Sequence, residues 1–162
     1  MPKFIMTELV NPIDRIETAR LGSGTGSANF LSDKEVGKFA KLVAESRYNL
    51  CAAGDEIEGI ISSIDTASQD GYSTGAVRRE GRCEVTFDGL QATPGTGTVV
   101  VGDYVVCGTA VAKDTALVFG TPAKVCKATG AGTTLNHKWR VISLGTAGTG
   151  AVGTAGLIER VI

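Results

Sequence analysis

The stretch Val77-Arg-Arg-Glu-Gly-Arg-Cys-Glu-Val-Thr-Phe-Asp88 decides the fold class. Val77, Cys83, Val85 and Phe87 fall on one face of an extended chain around Gly81, and Arg78, Glu80, Arg82, Glu84, Thr86 and Asp88 fall on the other. A period of two marks a half-buried strand, because successive side chains point to opposite faces of a sheet. Arg79 interrupts the apolar face and reads as a strand end reaching solvent, or as half of an intersubunit salt bridge. Arg78 and Arg82, on the polar face, are candidate partner contacts.

Outward from this strand, short apolar stretches recur at intervals near ten residues with glycine-containing turns between them, the spacing of a barrel or sandwich. Tyr48 to Ala52 leads through Ala53-Gly54-Asp55 into Glu56 to Ile64, and Val99 to Val101 leads through Gly102-Asp103 into Tyr104 to Val111. Thr115 to Phe119, Ala123 to Lys127, Lys138 to Leu144 and Leu157 to Ile162 complete the set. Ser32-Asp33-Lys34-Glu35 is a capping box, but Gly37 is costly inside a helix, so one helical turn followed by a strand over 38–44 is expected. Gly145-Thr-Ala-Gly-Thr-Gly-Ala-Val-Gly-Thr-Ala-Gly156 reads as a long surface loop, or as a stripe of small residues permitting close approach between subunits.

Towards the N-terminus the pattern fades. Residues 1–20 show no sustained period, and Gly22-Ser-Gly-Thr-Gly-Ser27 follows as a flexible link. The expected organisation is an arm and hinge over 1–31 and a single β-rich domain over 32–162. The fold class is mainly β: a small β-barrel or sandwich with an extended N-terminal arm and at most one short helix. Phe4, Ile5, Met6, Leu9 and Val10 have no periodic partner face, so they are expected to dock on a neighbouring subunit.

Composition narrows the function. The 162 residues carry 16 Lys plus Arg against 17 Asp plus Glu, without the basic excess of a general nucleic-acid binder. No apolar run approaches a membrane span and no export signal is visible, so a soluble protein of a reducing compartment is expected, with no membrane partner. Its four cysteines, without paired spacing, read as buried thiols. His137 is the sole histidine, and the Gly22–Gly26 run lacks the strand before and helix after that a phosphate loop needs. Trp139 could stack on a sugar, although a core position is the commoner fate of a lone tryptophan. No enzyme, cofactor or metal site is expected.

Glu35-Val-Gly-Lys38, Cys51-Ala-Ala-Gly-Asp-Glu-Ile-Glu-Gly59, Gly71-Tyr-Ser-Thr-Gly-Ala-Val77 and Val100-Val-Gly-Asp-Tyr-Val-Val-Cys-Gly108 occur in an order that resembles the tailed-phage capsid decoration, or cement, proteins. The resemblance covers roughly residues 33–162. It implies a β-rich homotrimer on the outer capsid surface of the virion, made in the host cytoplasm, that binds the major capsid protein and bridges adjacent capsomers. The alternative is a phage tail or fibre adhesin-like module that binds a host glycan. Exposed short-strand edges, which invite pairing, are a second ground for the trimer.

Overall fold

Gly81, at φ 93°, breaks the alternating stretch in two. The computed structural model describes residues 16–23, 29–45, 47–66 and 73–161. Within it, β5 (Ser73–Arg78) ends before the break and β6 (Arg82–Leu90) begins after it, in different sheets. The expected single strand over 77–88 is therefore two. Val77 enters one core while Val85 and Phe87 enter another. The polar face does not stay solvated either, since Thr86 and Asp88 are buried along with their apolar neighbours.

Before the break, β1 (Ile16–Leu21), β2 (Phe39–Ala44), β3 (Arg47–Leu50), β4 (Gly59–Asp65) and β5 close into a barrel in the order β1-β3-β2-β4-β5. The strand at 16–21 corrects the reading of this segment as part of an arm: Ala19 and Leu21 alternate with exposed Thr18 and Arg20, and both are buried. The expected helical turn is a single 3-10 turn at Asp33–Glu35, with the Ser32/Glu35 capping box formed.

After the break, β6 pairs with β7 (Thr93–Pro94) and then with β9 (Lys124–Lys127), β9 with β8 (Tyr104–Cys107), β8 with β10 (Lys138–Ser143) and β10 with β11 (Ala155–Val161). Pairing of β11 with β6 closes a second barrel. Val99–Val101 and Thr115–Phe119, both expected as strands, lie outside the sheets; Val100 and Val101 are exposed at a turn, and 115–119 belongs to a long connection.

The two barrels share one topology. In each, the first strand runs parallel to the third (β1 with β3, β6 with β9) and antiparallel to the fifth (β5, β11), while the second (β2, β8) pairs with the third and fourth. Likeness extends to details. Val36-Gly37-Lys38-Phe39 and Val101-Gly102-Asp103-Tyr104 lead into the second strand of each barrel, with both glycines at positive φ, 87° and 95°. In the fifth strands, a Cβ on Gly75 would stand 2.2 Å from the Ser63 carbonyl oxygen and 2.7 Å from Leu21, and one on Gly156 2.7 Å from the Ser143 carbonyl oxygen and 2.2 Å from Phe87. Each glycine thus admits a first-strand side chain and a fourth-strand carbonyl at the same place in its barrel.

Period-two alternation also joins the barrels. In β2, Ala40 points into the first core while Phe39 points out; in β4, Ile61 points in and Ile60 out. Phe39 and Ile60, paired across the two strands, pack with Cys51 and Ile57 into the second barrel's core of Val85, Phe87, Val125, Trp139, Val141 and Ile158. Closure of both rings also pairs the long strands on both sides, so exposed edges no longer argue for association.

Candidate functional site

The shared topology shows which connection is elaborated. Between the second and third strands, the first barrel needs only residues 45–46, whereas the second uses 108–123. The fold itself does not require that length. Connections longer than about 12–15 residues without regular structure are uncommon and are usually functional when ordered.

This loop is held in place by buried polar contacts. Glu35, fully buried at the entrance to β2, accepts hydrogen bonds from the Ser32 and Asp114 amides, both at 2.6 Å, and from the Ser32 hydroxyl at 2.9 Å. Lys38, also buried, lies 3.4 Å from the Glu35 carboxylate and donates to the Ala112 carbonyl at 2.9 Å. At the loop's start, the buried carboxylate of Asp88 accepts from the Thr109 amide at 2.7 Å and faces Lys124 at 3.6 Å. Burial alone would raise both carboxyl pKa values. Hydrogen bonds from Ser32 and Asp114, with Lys38, hold Glu35 below its ordinary value, and bonds from Thr109 with Lys124 do so for Asp88.

Leu117 anchors the far side by packing against the second core. The chain then turns outward: the Thr121 amide closes a turn on the Val118 carbonyl at 2.9 Å, with Gly120 at φ 76°. That turn presents Phe119 fully to solvent, with Val118 72% exposed beside it. An exposed phenyl ring on a firmly tethered turn loses little conformational entropy when covered, which suits it to docking. Sequence reading assigned 115–119 to a strand and missed this knuckle; the surviving signal was Val118-Phe119-Gly120, apolar residues running directly into a turn glycine.

Behind the knuckle, a small cleft of about 20 Å³ lies between the barrels, lined by Lys38, Phe39, Cys51, Cys107, Leu117 and Lys124 among others.

The residues singled out in sequence are dispersed. Phe4, Ile5, Met6, Leu9 and Val10 lie outside the described residues. Arg78 and Arg82 meet at the junction, where an Arg78 guanidinium nitrogen donates to the Arg82 carbonyl at 2.8 Å; Arg82 also pairs with Glu159 at 3.1 Å. Arg79 pairs within the chain, with Glu17 at 3.0 Å. Trp139 is fully buried and unavailable for stacking on a sugar. His137 is partly buried, with Nδ1 2.5 Å from an Arg160 guanidinium nitrogen and Nε2 3.5 Å from Glu58. The Gly145–Gly156 stretch is largely exposed, as a surface loop, and is tied down where Ala151 bridges Thr98 and Gly150 accepts from the Val99 amide, before its last two residues enter β11.

Comparison with family models, with curated proteins and with solved structures finds no match.

Proposed function

We propose that this protein is a phage capsid decoration protein, which binds the outer surface of the head shell through the Val118–Phe119 knuckle and bridges adjacent capsomers. The observation that carries the reading is the knuckle itself, an exposed apolar pair on a connection that the equivalent barrel dispenses with. The resemblance of the turn and strand segments to decoration proteins supplies the kind of partner, the major capsid protein, and the homotrimeric state now rests on that resemblance alone. Cementing follows from mass action, since a ligand bound only to the intact shell stabilises it, and bridged sites must be broken together when the shell opens.

The test uses particles stripped of the protein and then re-decorated. Wild-type protein should rebind and raise the temperature at which the heads rupture. Phe119→Ser, which removes no buried contact, should remain folded and fail to rebind at the same concentration. Wild-type protein that binds no heads, or binds without moving the rupture threshold, overturns the cementing role and brings forward the tail or fibre adhesin. A Phe119→Ser variant that binds normally moves the contact away from the knuckle.

A further inference from the structure

The first barrel has a concave surface of its own, on the row where β1, β3 and β2 pair. Arg20 stands beside Arg47 in the parallel register of β1 with β3, and Arg47 stands beside Ala44 in the register of β3 with β2. Ala19, Leu21 and Tyr48, next to the arginines in sequence, fill the barrel core, so alternation turns Arg20 and Arg47 to the outside. Ala44 contributes only a methyl group to this row. A cleft of about 180 Å³ opens there, lined by Arg20, Ala44, Glu45 and Arg47. Two cations side by side on neighbouring strands repel one another. Arg20 has a partner of its own. Arg47 is different: its Nε is buried without a hydrogen bond, and among the described residues no carboxylate forms an ion pair with it, although the exposed Glu45 lines the same cleft. Arg78 also has a buried Nε without a hydrogen bond, but its terminal nitrogen is tied to the Arg82 carbonyl at 2.8 Å.

We propose that this cleft binds the side-chain carboxylate of a partner protein, with Arg47 as the binding residue and Arg20 as a second cation beside it. A partly desolvated guanidinium without an acceptor is costly, and an anion in the cleft offsets that cost while screening the two arginines from each other. The planar guanidinium fork matches the two oxygens of a carboxylate. The charge balance selects the anion: two guanidiniums and the Glu45 carboxylate leave the cleft with a single positive charge, which suits a carboxylate better than a doubly charged phosphate. The surroundings select its carrier. Leu42 and Val43 are exposed on the same strand as Ala44, and Val43 falls in the register shift between Leu42 and Ala44, so a carboxylate arriving on a polypeptide meets apolar surface that its neighbouring side chains cover. The site lies on the other barrel from the knuckle and does not depend on the partner being a capsid.

The test follows the Arg47 Nε–H and the Glu45 amide in nitrogen-edited NMR spectra of the whole chain, at neutral pH and constant ionic strength. The probes are the blocked peptide acetyl-Leu-Asp-Leu-amide, acetate and inorganic phosphate, each exchanged against chloride. The peptide should shift both signals saturably and bind about tenfold more tightly than acetate, because its flanking side chains cover Leu42 and Val43. Phosphate should bind more weakly than the peptide. Ala44→Phe, which fills the cleft from an exposed position and leaves every charge in place, should abolish the shifts. Arg47→Gln should abolish the response at Glu45, yet melt no lower than the wild type in chloride, since it removes a repelled and partly desolvated cation. The proposal is overturned by a peptide that gives no saturable shift or binds no more tightly than acetate, by phosphate as effective as the peptide, by binding that survives Ala44→Phe, or by an Arg47→Gln variant that melts well below the wild type. No capsid enters this experiment, so its failure leaves the role of the knuckle untouched.

Discussion

Trp139 in the second barrel donates its indole Nε1–H to the carbonyl of Ile57, in the approach to β4 of the first, across 2.9 Å. The ring is fully buried, and the guanidinium of Arg160 lies 5.9 Å from its centroid. A single side chain therefore fills one core and satisfies a carbonyl belonging to the other barrel.

Replacing Trp139 separates these roles. Trp139→Ala should cost about 3–5 kcal/mol through the cavity it leaves. Trp139→Phe keeps most of the volume but removes the shorter of two donors to the Ile57 carbonyl, the Arg160 guanidinium remaining at 3.4 Å, and should cost about 0.5–1.5 kcal/mol. Urea denaturation monitored by circular dichroism measures both; equal losses would mean that the hydrogen bond contributes nothing separable from packing.

The acid limit of stability should be set partly by Glu35 and Asp88. Both carboxyls are held below their ordinary values in the fold, so their contribution is complete above the usual carboxylate range and disappears as pH falls through their lowered values. Urea midpoints should drop between about pH 5 and pH 2, and Glu35→Gln/Asp88→Asn should flatten that dependence while lowering stability at neutral pH. An unchanged slope in the double variant would place the acid sensitivity elsewhere.

Gly75→Ala and Gly156→Ala should behave alike, each forcing a Cβ into a first-strand side chain and a fourth-strand carbonyl. Overpacking of this kind costs about 1–3 kcal/mol. Equal shifts in urea midpoint at unchanged m-value are the expected result; a neutral Gly156→Ala would show that Phe87 has room to withdraw.

Period two and turn glycines made the β class legible, and they placed β2, β4, β9, β10 and β11 within a few residues. They could not reveal the junction at Gly81, because alternation has the same parity on both sides of it: Val77 and Val85 belong to one apparent face although they point into different cores. Nor could they reveal the repeated topology, whose clearest trace is Val-Gly-x-aromatic at 36–39 and 101–104. The loop at 115–119 contains strand-forming residues, but its conformation is dictated by contacts with Glu35 and the second core, distant in sequence.

The order of the strands along the chain also bears on how the protein is made. Every strand pairing of the first barrel lies within residues 16–78, so its ring can close on a growing polypeptide before most of the second has been translated. The second ring differs, because its closure pairs β6 with β11, the last strand. Until Ile158 arrives, Phe39 and Ile60 on the outside of the finished ring face water or a chaperone. The nascent protein thus carries an apolar surface at the place where its two halves will meet, and covering it waits for β11.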